Sequence, residues 1–524
     1  MTVPRLAPTL CAIALGLGLV LLLGAGPAPQ LNYPADDAAY LDACHRTATG
    51  QWLGRDYTSP IGPAAILPTA LAMRFGQHTV GALVTGSALV WLGGGLLAWW
   101  IARRRMNGWM AAGFALFTAG TAAAPYTLDF GSWRILSYGM LYNRLAWAAL
   151  GLAAAAVLLP RSDGREPRGV PLGLGAGSIW LWLLKPNYLL ILLPLVIFHW
   201  LGVTDRLAWF RRSVIGAAGM LALVWLCVPF SPAGYVATHF GMAREAPAGL
   251  LQYTLERSLA ENIWLVLGLL VLWGAVLRDA TLPRRGWLAV AIGAVIACTF
   301  AANLTNCQFS EIPLWGALGW LAAAAAGTAA APRVRQAGLL AGLGFGLTFT
   351  WQPLAGIAYN FAWKHFRAPG SPPALEVAGP AWRGMPMRPV PGDPAGPDAA
   401  LESAGNYAAW INDGLALLRQ APPGPVLCLD WNNPFPFATG TAPIAGDAIA
   451  WHVGRTHGPR HHPDIAPLVA GAAVVMEPRR SLQPDSLAFK RALFGPALDA
   501  DFVLAGETVH WRLWVRKPGA GRSS

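Results

Sequence analysis

Apolar stretches of roughly the length that crosses a bilayer as a helix, about 20 residues, recur along the first two thirds of this chain. Arginines gather in alternate gaps between them. The stretches run from Leu6 to about Gly24 and then over 79–101, 108–124, 143–160, 170–184, 187–203, 213–230, 262–278, 287–304, 313–331 and 336–355. Arg103, Arg104 and Arg105 fill one gap, Arg161, Arg165 and Arg168 another, and Arg206, Arg211 and Arg212 a third. Arg278, Arg284 and Arg285, then Arg333 and Arg335, complete the series. If each stretch crosses, every cluster falls on one side, which is the positive-inside pattern. The chain therefore reads as a polytopic α-helical membrane protein with about 11 transmembrane helices, N-terminus cytoplasmic and C-terminus extracytoplasmic.

Of the 524 residues, 55% are hydrophobic and 12% charged, against about 25% charged in a soluble protein. The formal charge of +12 lies mostly in the short gaps between spans. It therefore marks topology and excludes a nucleic-acid surface. Cys44, Cys307 and Cys428 fall on the outer side, where a disulfide among them is open; no cysteine spacing suits a metal. The first span reads as a retained helix, with a cleaved signal peptide as the alternative.

This topology leaves four segments outside: loops 26–78, 125–142 and 231–261, and everything after the last span. Within the first loop, residues 61–77 read as a short helix at the membrane interface. The membrane part is expected over 1–358, a Pro/Gly-rich linker over 359–400, and a small α/β domain over 401–524. In that domain helical spacing covers Asn406–Gln420, buried strands cover Pro425–Asp430 and Ala472–Met476, and a hairpin joins Phe502–Ala505 to Val509–Val515 through Gly506-Glu507.

Chemistry-bearing residues concentrate in the outer loops. Asp36 and Asp37 open an expected helix that Gly50 ends. They serve either as caps complementing the helix dipole or, for one of them, as a reacting carboxylate. Adjacent helical residues point about 100° apart, so at most one faces a reaction centre. Tyr40 shares their face, and Asp42 and Arg46 have the spacing of a surface pair. Lys185, in Leu-Leu-Lys-Pro-Asn-Tyr, stands where Pro186 breaks the helix near the outer face. It is a phosphate ligand or a lysine snorkelling to the interface. Asp129 and Arg134 form either a surface ion pair or part of a cavity, and Glu311 reads as a helix cap. His452, His457, His461 and His462 read as a solvated loop rather than a metal site. Asp430-Trp431-Asn432-Asn433, after a strand, either binds a ligand or closes a turn.

The acidic pair, the aromatic that follows it and the run Gly-Arg-Asp-Tyr-Thr-Ser-Pro-Ile-Gly-Pro before an apolar helix together resemble the GT-C glycosyltransferases. The likeness is to members that use polyprenyl-phosphate sugars, such as aminoarabinose transferases and protein O-mannosyltransferases. The Pro-Ile-Gly-Pro segment departs from the basic version expected in those enzymes. The resemblance implies a GT-C-like fold and an inverting transferase. That enzyme moves sugar from a polyprenyl-phosphate donor to an envelope glycan, lipid or protein at the outer face of a bacterial inner membrane. Asp37 or Asp36 is then the base that deprotonates the acceptor, and Lys185 and Arg134 face the donor phosphate. Tyr40, Asp129 and Tyr57 line the cavity. Catalysis is either metal-dependent, with Mg or Mn, or lysine-assisted. The rival readings are a transporter or flippase and an inactive envelope-assembly scaffold.

Overall fold

The computed structural model describes residues 6–126, 135–160, 168–245, 248–280, 282, 284–304, 312–366, 374–389 and 401–519. Asp129, Arg134, Cys307 and Glu311 lie outside the described residues.

The chain begins with α1 (Leu6–Ala25), α2 (Pro34–Ala48), α3 (Pro63–Arg74) and α4 (Gly81–Ala102). Next come α5 (Gly108–Ala123), α6 (Leu141–Leu158), α7 (Gly169–Leu184) and α8 (Leu189–Gly202). The helical part closes with α9 (Arg206–Cys227), α10 (Pro232–Glu245), α11 (Ala248–Asp279), α12 (Arg285–Leu304), α13 (Pro313–Ala326) and α14 (Pro332–His365). Helices thus occupy all the apolar stretches of the sequence. Among the described residues six of them, α1, α4, α6, α9, α11 and α12, are long and apolar enough to cross a membrane.

Local chemistry sets several of these boundaries. The Asn107 side chain accepts a hydrogen bond from Met110 N to open α5, and Asp205 accepts one from Ala208 N to open α9. Pro186 ends α7 by removing the next backbone donor. Small residues let the helices meet closely, as expected where lipid offers no hydrophobic drive to association. A Cβ at Gly175 would stand 1.9 Å from Ser213 O, and one at Gly216 would stand 2.0 Å from Leu172 O, so α7 and α9 touch backbone to backbone.

Two expectations are corrected in this part. The short helix of the first outer loop, α3, does not lie on an interface; Ala64, Ala65, Ile66 and Ala70 are buried in protein. It packs between α2 and α4, because its small residues admit both neighbours. Asp42 and Arg46 do pair, at 2.8 Å, but both are fully buried rather than on the surface. The helix α14 runs on through His365.

The C-terminal region contains α15 (Ala404–Leu418), β1 (Val426–Cys428), α16 (Phe435–Thr439), α17 (Ile465–Gly471), β2 (Val474–Pro478), α18 (Pro484–Asp501), β3 (Phe502–Glu507) and β4 (Trp511–Arg516). They form a four-stranded sheet in the order β1-β2-β4-β3, with β1 and β2 parallel and the other pairs antiparallel. Leu427, Val475, Phe494, Leu498 and Phe502 build its core. The hairpin turn falls at residues 508–510, not at Gly506-Glu507. Gly506 stays in the strand, pairs with Leu513 and follows an irregularity in the register. Cys44 and Cys428 are buried free thiols.

Candidate functional site

Tyr33 adopts a left-handed conformation (φ 60°), and Pro34 then starts α2 with the preset φ of a helix. No side chain caps this helix end; both Asp36 N and Asp37 N bond back to Tyr33 O. The two carboxylates are left for other partners, and they diverge as adjacent helical residues must. Asp37 is fully buried. Its Oδ1 accepts from Ser137 Oγ at 3.1 Å and its Oδ2 from Tyr138 N at 3.3 Å. Asp36 is half-buried and faces a cavity. Gly139 passes so near that a Cβ there would stand 3.2 Å from Asp36 Cβ.

The cavity holds about 450 Å³. Its membrane-side wall carries Asp36 and Tyr40 from α2, Tyr142 from α6, Lys185 at the end of α7, and His239 from α10. The C-terminal region closes it with Trp431, His452 and Arg455. Lys185 Nζ stands 5.3 Å from the centre of the Tyr142 ring, a cation–π arrangement that holds the ammonium over the cavity. Tyr40 is anchored through its hydroxyl to Ala65 O and Thr69 Oγ1. Tyr57 is buried elsewhere, with its hydroxyl against Thr47 Oγ1, and is not among the residues lining this cavity.

Electrostatics follow from burial. Desolvation lifts Asp36 to about 6, against the lowering field of Arg455. Asp37 is lifted to about 7 by burial and by its charged neighbour Asp36, partly offset by the Tyr138 and Ser137 hydrogen bonds and by Arg144. Burial and the nearby Lys185 hold His239 below the usual imidazole range, partly countered by its bond to Tyr235 O at 3.0 Å. Burial and Arg455 press His452 to about 4. At neutral pH the cavity therefore presents one carboxylate, two cations and two neutral imidazoles.

Packing restricts one position of the Pro60-Ile61-Gly62-Pro63 segment, Gly62. Gly62 N donates to Leu184 O at 3.0 Å, and a Cβ at Gly62 would stand 1.9 Å from Leu183 O. No side chain fits there, because this turn lies against the end of α7 that delivers Lys185.

The C-terminal region is stitched to the loop that bears the acids. Asn432 Nδ2 donates to Ala35 O at 3.0 Å, and Thr58 N donates to Asp447 O and Ile449 N to Thr58 O. Arg46 reaches Ile444 O at 2.7 Å as well as Asp42. The histidine segment is not a solvated loop as expected. His457 is buried, and Arg460 N donates to Glu245 of α10, so the segment is a docked strap. Sequence reasoning missed Arg455, His239, Ser137 and Tyr138. Only the closeness of Arg455 to the histidine run gave any signal of its place.

No family model matches the sequence, and no curated protein matches it. Among solved structures the chain is similar to ArnT from Cupriavidus metallidurans bound to undecaprenyl phosphate. The identity is 13%, the match covers 98% of each chain, and the TM-score is 0.50. The same protein in its apo state is 12% identical over 98% of this chain and 99% of that one, with a TM-score of 0.43. The chain thus has an ArnT-like fold, helical with a small C-terminal sheet region, in line with the GT-C resemblance of its sequence.

Proposed function

We propose that this chain is a GT-C-type glycosyltransferase of the bacterial inner membrane. It transfers a sugar from a polyprenyl-phosphate donor to an envelope glycan, lipid or protein at the outer face. The observation that carries this reading is the shared cavity in which Asp36 and Lys185 stand under Arg455. The ArnT structure that shares the fold holds undecaprenyl phosphate, which supports a polyprenyl-phosphate donor here.

In this mechanism Asp36 is the base. It takes the proton of the acceptor hydroxyl as that oxygen attacks the anomeric carbon. The bond from that carbon to the donor phosphate oxygen breaks with its electron pair, and the polyprenyl phosphate leaves with an added negative charge. Lys185 stabilises that charge where it develops, and Arg455 tunes the base by lowering the pKa of Asp36. Attack from the face opposite the leaving group inverts the anomeric centre. With its pKa near 6, Asp36 is ionised at neutral pH yet more basic than an ordinary carboxylate. Asp37 is a positioning residue that holds the 137–138 segment against α2.

Among the described residues, Asp36 is the lone carboxylate on the cavity and faces two cations. That donor set suits a phosphate better than a divalent metal, so the lysine-assisted form is the one proposed.

The test uses the full chain in proteoliposomes with a polyprenyl-phosphate-linked radiolabelled sugar and a lipid extract of the envelope as acceptor source. Labelled product and free polyprenyl phosphate are expected together from the wild type. Flux of label across the bilayer without any covalent product would sink the transferase and favour the transporter.

A further inference from the structure

A second cavity, also of about 450 Å³, opens among α4, α5, α6 and α7. One end lies a single helical turn from the candidate site. Leu145 and Leu181 bound it there, against Tyr142 and Lys185 of the first cavity. The other end carries Arg104 and Arg105.

The walls between these ends are apolar and unusually smooth. Gly93 and Gly94 of α4 and Gly173 and Gly177 of α7 line the groove, and nothing stands within 4 Å of where a Cβ would project from any of them. Gly175 and Gly216 serve close helix contact; these four leave room inside the groove, as Gly16, Gly219 and Gly293 do outside it. At the basic end the Arg104 guanidinium lies 4.8 Å above the Trp100 ring. Arg105, in the turn after α4, donates to Ile101 O of that helix and to Ala156 O on α6, which fixes it across the mouth.

An apolar slot that ends in two held guanidiniums selects a ligand with an apolar body and an anionic head. Basic pockets between transmembrane helices bind acidic lipid headgroups on this physical ground. We propose that the groove binds an anionic glycerophospholipid of the leaflet on the arginine side. Its acyl chain lies along the glycine-lined wall and its phosphate against Arg104 and Arg105. The donor assigned above is a different molecule, because its phosphate belongs beside Lys185 at the opposite end. Only that separation from the donor rests on the transferase reading; the apolar slot and its arginines do not.

The test is native mass spectrometry of the full chain, released from nanodiscs of equal phosphatidylglycerol and phosphatidylcholine with matched acyl chains. Retained phosphatidylglycerol should exceed phosphatidylcholine by about thirtyfold, from roughly 1 kcal/mol for each of the two arginines. Arg104→Gln should reduce that preference and Arg104→Lys restore it. Gly94→Leu combined with Gly173→Leu fills open space and should release both lipids while the melting temperature stays unchanged. Equal retention of the two lipids in the wild type, or undiminished phosphatidylglycerol in the glycine variant, would overturn the proposal. Displacement of phosphatidylglycerol by undecaprenyl phosphate would overturn it too, by giving the groove to the donor's tail.

Discussion

The two walls of the candidate cavity are built by opposite means. The membrane-side wall presents charge at helix ends. Asp36 stands in the first turn of α2 and Lys185 just beyond the last residue of α7. Each position follows from a local break, Pro34 in one case and Pro186 in the other. The outer wall presents charge from irregular segments held by long-range bonds. Arg455 sits in a strap tied down through Glu245, and Trp431 in a loop tied down through Asn432. A wall of helix ends is rigid by itself; a wall of docked segments is only as firm as its docking. Chemistry is therefore expected to reside in the first, and tuning of that chemistry in the second.

Substitutions test this division, beginning with the largest effect. Asp36→Asn should lower product formation by about 10²–10⁴-fold, with folding intact by thermal melt. If Asp37→Asn gives that loss and Asp36→Asn does not, the assignment of the base reverses. Arg46→Ala leaves Asp42 buried without its partner and cuts the tie to Ile444. It should cost about 3–5 kcal/mol of stability, seen as a lower denaturation midpoint; an unchanged midpoint would mean that the outer wall does not depend on this tie. Lys185→Ala should lower turnover by about 10²–10³-fold, with Lys185→Arg recovering part of it, since the requirement is positive charge. Equal turnover in the wild type and Lys185→Ala would remove the lysine from the mechanism.

The outer wall should respond more gently. The rate is expected to fall as pH drops through about 6, where Asp36 takes up its proton. Arg455 lowers the pKa of Asp36, so Arg455→Ala should raise it and move the acid limb of the pH–rate profile to higher pH. A limb that stays in place would separate Arg455 from Asp36. Smallest of all, Asn432→Ala should cost about 1 kcal/mol, the net worth of an ordinary hydrogen bond. Its melting temperature should fall slightly while the acid limb keeps its position.

The division also explains what was legible in the sequence. The helices at the apolar stretches, the start of α2 and the break at Lys185-Pro186 were readable because each is a local pattern with a local cause. The burial of Asp42 and Arg46 was not, since an i,i+4 pair has the same spacing whether water or protein covers it. The interior position of α3 was hidden for a like reason: Pro63, Pro68 and mixed polarity suggest an interface, but the covering comes from other helices. The Pro-Ile-Gly-Pro segment read only as a departure from a basic version; the approach of Leu183 O to Gly62 revealed a backbone contact within it. Arg455 was illegible because no periodicity connects an arginine in an outer strap with a carboxylate in the first outer loop.

The tie between Arg46 and Ile444 spans 398 positions of sequence, and this orders events in time as well as in space. During synthesis α2 emerges well before the groups that complete its buried network. Until then Arg46 has Asp42 and Gln51 but not Ile444 or Asp447, and Asp36 has no Arg455 above it. A chain arrested or clipped before its final domain would carry the acids and the lysine but no closed cavity. For the proposed transferase, full activity thus reports that the C-terminal region has docked on the segment that bears the acids.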